Sequence, residues 1–500
     1  MNALPALVDP GLFELLCNHL KRGEQLYMVG GGVRDWLLRQ TSHDLDFVTN
    51  GDVRSLARNV ANELNGHFYM LDDDRNTARV IYYPGHQNRL ILDFAMMRGN
   101  NLEDDLSARD FTINAMALDI RDPQKLIDPL GGAQHLKDKV LCPCSPQSFQ
   151  DDPIRVMRAV RFATQLKLKV AKETLSLMQE AAALLPQVSA ERQRDELFRI
   201  LEGNRVSTAV RLLDKVSALN KVLPELTALK RIVQPPPHTL DVWEHTLAVV
   251  QALENLFDVL VGEYQEEASN LTMGTAVLRL GRFRRKLAEH FAQRMVPERN
   301  RRGLLHFAAL YHDVGKPAAV SDNNNGRRHF YRHERYSQNT IIERGKALAL
   351  SAQEWEYLAL VTYKHMYIHH LAENGSPPTR RAIFRYFRAT GEAGVDICLL
   401  SLADLLGTYQ ATLSQDTWLT ELDICRTLFE SWWEKKEEII VPARLLNGEE
   451  LMEALSLQPG PLVGRLLKEI QEAQAAGEIF DRQQALEFAR KRLVDYNERT

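Results

Sequence analysis

The sequence predicts an α+β chain whose strands gather in its first third and whose remainder is helical. Three observations carry that reading. Between residues 26 and 140 the apolar runs are short and rich in β-branched and aromatic residues (LYMVG, LDFVT, ARVIYY, RLILDFAMM, NAMALDI), with Gly, Asn and Asp clusters between them. From about Asp151 onward the apolar residues fall at helical spacing, as in IRVMRAVRFATQL and DELFRILEG. Punctuation then cuts the helical part: QPPPHT at 234–239 is too rich in proline for a helix interior, and WEKKEEIIVPARLLNG interrupts the pattern again before a last helical stretch. These breaks divide the chain into residues 1–140, 141–234, 235–440 and 441–500.

Composition narrows the function classes. At 500 residues and 57.1 kDa the chain exceeds what one hydrophobic core serves. Hydrophobic residues at 45% and charged residues at 26% exclude a disordered, collagenous or coiled-coil protein. No apolar stretch approaches the roughly 18 to 20 residues of a membrane span. MNALPALVDPGLFELL has no basic region ahead of its apolar residues. The expectation is a cytoplasmic protein without a membrane partner, its oligomeric state left open. Five cysteines, with Cys142 and Cys144 in a lone C-P-C, read as reduced thiols rather than disulfides or a zinc finger. A net charge of −4 leaves nucleic-acid binding to local patches. Eight Lys or Arg against two Glu lie between Arg282 and Arg302. Arg155, Arg158 and Arg161 recur at three-residue spacing. The polar, basic stretch 262–303 reads as an insertion or a mobile arm.

The first chemical constellation runs from the apolar strand ending in Val29, through Gly30, Gly31 and Gly32, into a helix bearing Arg34 and Asp35. Glycines at such a turn let backbone N–H groups approach a phosphate, and the helix start adds favourable partial charge. Asp44 and Asp46 follow in a short strand, where residues two apart share a face. Two carboxylates side by side repel unless a divalent cation such as Mg²⁺ bridges them. Asp93, flanked by apolar residues in RLILDFAMM, is the candidate third carboxylate.

Together GGGVRD (Gly30 to Asp35), Asp44-Leu45-Asp46, ARDFTINAMA (Ala108 to Ala117) and DPLGG (Asp128 to Gly132) closely resemble the class II tRNA nucleotidyltransferases, the CCA-adding enzymes and bacterial poly(A) polymerases. The helical continuation DDPIRVMRAVRFA and ERQRDEL extends the resemblance to about residue 200. It implies a polymerase-β-like nucleotidyltransferase head over 1–140 and an all-α neck for base recognition and RNA binding over 141–234. Asp44 and Asp46 would hold catalytic Mg²⁺ with Asp93 beside them. Gly30, Gly31, Arg34, Arg109, Asp110 and Asn114 would meet the nucleotide, although Ala108 replaces the motif's first arginine. Asp152 and Arg155 match the EDxxR base template, with Asp151 in place of Glu. An acceptor-only Asp and a donor-only Arg suit the mixed edge of C or A. Asp152 ahead of Pro153 also fits an N-cap. Arg158 and Arg161 suit triphosphate or RNA phosphate.

The second constellation comprises His245, His312-Asp313 in LYHDVGKP, His333, His365 and Asp404. It resembles the HD phosphohydrolase superfamily and implies an HD domain over 235–440, with the basic insertion, holding a divalent metal of unspecified identity. Lys316 would neutralise a phosphate. His245, beyond a long gap, is the least secure ligand, and His369 or His370 stand near enough to replace His365. Residues 441–500 resemble the helical, tRNA-binding tail of HD-containing members; GPLVGRLL starts a helix there.

The resemblance implies a template-independent enzyme adding C, A or both from CTP and ATP to the tRNA 3′ end. The alternatives are a poly(A) polymerase and an HD phosphohydrolase whose head only binds RNA. Between Arg98 and Leu102 stand only Gly99, Asn100 and Asn101, too few for the flexible loop of full CCA-adding relatives. That predicts an enzyme specialised for CC or for A.

Overall fold

The computed structural model describes residues 10–84, 89–262, 270–322, 328–373 and 377–497. Residues 1–9, which open the segment used for the leader reading, and 263–269 of the basic stretch lie outside the described residues. The chain is mixed α+β and forms two compact units. One comprises residues 1–192 with 211–222, the other residues 193–210 with 223–500.

The first unit is built on a seven-stranded sheet of β1 (Leu26–Val29), β2 (Asp44–Thr49), β3 (His67–Asp72), β4 (Thr77–Tyr82), β5 (Leu90–Met96), β6 (Ala117–Asp119) and β7 (Asp122–Ile127), ordered β3-β4-β5-β2-β1-β6-β7. β2 and β5 run parallel, and the other pairs are antiparallel. Alternation sends Leu45, Phe47, Val80, Leu92 and Phe94 to one face. There the helices Pro10–Asn18 and Val53–Glu63 add Leu12, Leu16, Leu56 and Val60. Phe47 stacks on Phe94 with ring centroids 5.3 Å apart. The opposite face buries Tyr27, Val29 and Val48 against Leu106, Ala115 and Ala117, beside the acidic residues. The helix Arg155–Gln165 buries Val156, Met157, Val160 and Phe162.

The second unit is predominantly helical. Local signals set its boundaries: the Asp241 side chain accepts from Glu244 N at 2.8 Å, Ser351 and Glu354 form a capping box, and Pro461 occupies the first turn of the helix Pro461–Ala475. Gly448–Leu455, Pro461–Ala475 and Arg482–Asn497 share a core of Leu451, Val463, Leu466, Ile470 and Ala485. The QPPPHT stretch lies inside this unit, where the Gln234 amide donates to the Leu240 carbonyl at 3.2 Å.

The expectation of a mobile basic arm does not hold for residues 270–303. Helices Leu271–Leu280 and Arg284–Ala292 bury Leu280, Leu287 and Phe291. Two of its charges are buried in ion pairs, Arg299 with Glu354 at 2.5 Å and Arg301 with Glu392 at 2.6 Å, while Arg282 pairs with Glu434 at 3.0 Å on the surface. Part of the basic composition here reflects internal ion pairing.

Candidate active site

The head brings Asp44, Asp46 and Asp93 onto one face. Asp44 and Asp46 alternate with buried Leu45 and Phe47, and Asp93 is the direct parallel partner of Asp46. Gly30 stands at φ +74°, and a Cβ there would lie 3.0 Å from Asp46 Oδ2 and 3.4 Å from an Arg109 guanidinium nitrogen. Only glycine brings that strand-to-helix turn so close to the carboxylate. Although β2 leaves Asp46 open on one side, partial enclosure by protein comes first among the causes that push its carboxyl up to about 6, followed by the charge of Asp93.

Asp93 has a partner that the sequence does not reveal. Arg79 lies opposite it in the β4–β5 register and donates two parallel hydrogen bonds of 2.8 Å to its two oxygens. Three acceptor-only carboxylates on one open face, with Arg79 and Arg109 as the adjacent cations, leave an acidic surplus that suits a divalent cation.

Beside the acids lies an arginine-rich frame centred on buried Asp110. Burial would raise its carboxyl, but the Arg158 guanidinium, bonded at 2.9 and 2.7 Å, holds it below the usual range. Asn114 donates to Asp110 at 3.1 Å and accepts from Arg34 at 2.7 Å. Arg109 is aimed by buried Asp105 at 2.9 and 3.1 Å, and Arg98 N also donates to Asp105 at 3.1 Å. Asp105 is a second neighbour that the motifs do not reveal; its i,i+4 spacing to Arg109 is the signal the sequence carries.

The proposed template pair is engaged in separate bonds. The Asp152 side chain takes Arg192 at 2.7 Å and does not cap a helix, because the N-cap position of Arg155–Gln165 falls on Ile154. Arg155 donates to Ser148 Oγ at 2.8 Å and to the Ala108 carbonyl at 3.0 Å. Arg161 and Arg34 lie over the Phe162 ring, 4.2 and 5.3 Å from its centroid.

The second unit gathers the other constellation completely. His245 Nε2 lies 3.1 Å from Asp404, 3.3 Å from Asp313 and 3.3 Å from His312 Nε2. His333 Nε2 lies 3.2 Å from Asp313 and 3.3 Å from His365 Nε2. The Nδ1 atoms of His312, His333 and His365 each meet the carbonyl three residues earlier, at 2.7, 3.0 and 2.7 Å. That bond fixes each ring so that Nε2 presents its lone pair inward. The Nε2 atoms face one another at 3.3 Å with carboxylates between, and His245, His312 and Asp313, and Asp313, His333 and His365, are groups that could hold a metal ion. Gly315 makes the packing feasible, since a Cβ would lie 2.5 Å from Ser337 N at the start of the helix His333–Ala347.

His245 is thus central rather than peripheral. His365 Nε2 faces the cluster, 3.9 Å from Asp313, whereas His370 is exposed beside Glu373 and His369 contacts Asp404 at 3.1 Å and Glu421 at 2.9 Å. Against the cost of burial, Glu421 and Asp404 push the His369 imidazole up to about 10. Lys316 bonds Asp313 at 2.5 Å and Gln234 at 2.6 Å. The cluster opens into a cavity of about 800 Å³, lined among others by His238, Phe330, Thr408 and Thr420.

The head defines the class. Residues 26–142 match the family model "Poly A polymerase head domain", 167–230 match "Probable RNA and SrmB- binding site of polymerase A", and 434–489 match "tRNA nucleotidyltransferase domain 2 putative". The chain is 31% identical over 473 residues to the A-adding tRNA nucleotidyltransferase of Deinococcus radiodurans, spanning 93% of this chain and 94% of that protein. It is 29% identical over 486 residues to the CC-adding tRNA nucleotidyltransferase of Geobacter sulfurreducens, spanning 97% and 95%. A solved CCA-adding enzyme in complex with ATP shares the fold, with a TM-score of 0.62 at 22% identity over 97% of each chain. The chain belongs to the tRNA nucleotidyltransferase family and is an enzyme of that type. No helix among the described residues is long and apolar enough to cross a membrane.

Proposed function

We propose that this enzyme completes part of the tRNA 3′ CCA end in the cytoplasm, adding either CC from CTP or the terminal A from ATP. The observation that carries the restriction is the tethered loop after β5. Gly99 takes φ +71°, Asn100 N donates to Asp104 at 2.9 Å, and Asn101 caps the helix Leu102–Ser107. A three-residue loop held at both ends has no reach with which to reset the site between C and A. The A-adding and CC-adding relatives, aligned over nearly the whole chain, support the same reading.

In this reading the bond formed joins the RNA 3′ oxygen to the α-phosphorus, the α–β bridge breaks, and pyrophosphate leaves. Asp44 and Asp46 would hold the divalent metal the family implies, typically Mg²⁺, which when bound neutralises triphosphate charge and makes the 3′-hydroxyl more acidic. Asp93, fixed by Arg79, orients the hydroxyl. Backbone N–H groups at Gly30 and Gly31, with Arg34, Arg109 and Asn114, bind the triphosphate and ribose, and Asp110 positions Arg158 and Asn114. Arg158 and Arg161 draw in phosphate. Asp152 and Arg155 read the base: the Asp152–Arg192 pair is half-exposed and weakly held, and Arg155 keeps donors beyond those given to Ser148 and Ala108. Residues 1–140 form the head, 141–234 the neck, 235–440 an HD domain and 441–500 a tRNA-binding tail.

Incorporation assays on tRNA ending before the tail, after one C and after CC test this. Extension confined to one of the two steps is expected. Complete CCA synthesis would overturn the restriction, and a homopolymer of A would identify a poly(A) polymerase.

A second reading concerns the histidine cluster, which the convergent Nε2 atoms favour as a phosphohydrolase centre. His245, His312, Asp313, His333, His365 and Asp404 would hold the divalent metal, which when bound supplies a hydroxide near neutral pH. Lys316 stands at the cavity wall to meet phosphate, and the space suits a nucleotide-sized phosphoester such as a 2′,3′-cyclic or 3′-terminal phosphate. Failure to hydrolyse any such ester with any divalent metal would remove this reading.

A further inference from the structure

We propose that the outer part of the head's acidic sheet face, over β3 and β4, is a stacking platform for the unpaired nucleotides just behind the RNA 3′ terminus. The proposal rests on reading the carboxylates as the transfer site. Phe68, Met70, Ala78, Val80 and Tyr82 belong to the core face, so alternation places Tyr69, Arg79 and Ile81 on the acidic face, with Tyr83 next in sequence and Leu71 at the register shift between Met70 and Asp72. Tyr69, Leu71 and Tyr83 are 51, 49 and 60% exposed. Large apolar side chains grouped at the surface mark a partner.

Strand registers tie this patch to the chemistry. Asp46 pairs with Asp93, Asp93 with Arg79, and Arg79 with Tyr69, one cross-strand row over four adjacent strands. At about 4.8 Å per strand, Tyr69 lies roughly 10 Å from Asp93 and 15 Å from Asp46. The groups suited to triphosphate, Gly30 and Arg34, follow β1 on the other side of β2. An incoming nucleotide therefore occupies the β1 side, and the strand bearing the attacking hydroxyl is left the side of β5, β4 and β3. Its bases meet tyrosine rings and the plane of Arg79, surfaces on which any base stacks.

Charge orients the strand along the platform. Arg89, exposed at the start of β5, stands at the Tyr83 end, while at the β3–β4 turn Asp72 and Asp73 are paired with Arg75 and Arg54. A phosphate backbone follows the Arg89 end.

The test is steady-state incorporation and equilibrium tRNA binding with Tyr69→Ala/Tyr83→Ala, both exposed positions, alongside Tyr69→Phe and Arg89→Glu. The double variant is expected to raise the KM for tRNA and weaken its binding roughly tenfold or more. The nucleotide KM stays unchanged, Tyr69→Phe behaves as wild type, and Arg89→Glu weakens tRNA binding. An RNA with abasic sites at its last unpaired positions should abolish the difference between wild type and double variant. A tRNA KM within twofold of wild type overturns the platform, as does an equal loss on abasic RNA, which would point instead to a protein-contact surface. A wild-type chain that binds RNA in this ring-dependent way but incorporates no nucleotide refutes the transfer reading and leaves the platform standing.

Discussion

In the head, Asp44, Asp46 and Asp93 stand on an open sheet face with Arg79 and Arg109 for company, whereas Asp313 and Asp404 are enclosed among helices by imidazoles. The open arrangement leaves an acidic surplus beside two arginines. The enclosed arrangement balances its charge internally and admits only what fits its cavity. Burial would raise Asp313, yet His312 and Lys316 hold it well below the usual carboxylate range, while Asp46 stands above it. Burial raises both carboxyls; at Asp46 the charge of Asp93 adds to it, whereas at Asp313 the cationic neighbours outweigh it.

The largest effect that would test this contrast is Asp46→Ala. Loss of a metal-holding carboxylate at the open site should cut nucleotide incorporation about 10³-fold or more with little change in Tm. Activity near wild type would break the assignment. Next, Asp313→Ala should abolish metal retained through desalting and lower Tm by several degrees, because an enclosed ligand set left incomplete destabilises its surroundings. Nucleotide incorporation at permissive temperature should stay within about twofold. Metal content equal to wild type would show that the cluster is not a metal centre.

The smallest effect is pH dependence at the open site. Asp46 is raised, so between the ordinary carboxylate range and about 6 the folded chain holds a proton that the unfolded chain has released. Metal-free stability should therefore fall as pH rises through that window. Incorporation at limiting Mg²⁺ should fall as pH drops below about 6, approaching tenfold per unit, and added Mg²⁺ should move the midpoint down. A midpoint insensitive to Mg²⁺ would separate the titration from Asp46.

The two regions also differ in how legibly they were written. Asp44 and Asp46 were readable because a period of two is local, and GGGVRD marked its turn directly. The pairing of Asp93 with Arg79 was not, because cross-strand register depends on where two strands meet. Asp110 was visible as a motif residue, but its role as a buried anchor for Arg158 needed the fold. In the helical unit the string from His245 to Asp404 was found by residue type, yet only packing could choose His365 over His369, one turn apart on neighbouring helices. The basic stretch misled because composition counts charges without their partners, and Arg282, Arg299 and Arg301 are all paired.

The loop after β5 is restrained by chemistry as well as by shortness: Asp104 and Asp105 hold the backbone N–H groups of Asn100 and Arg98. Length and freedom, which vary together whenever loops of different sizes are compared, are thus independent variables in this chain. Asp104→Ala would remove the tether on Asn100 without adding a residue, and an insertion that keeps both aspartates would lengthen the loop without removing either tether. Nucleotide choice measured on that pair would say whether the reach of the loop or its motion is what a site needs to change from C to A.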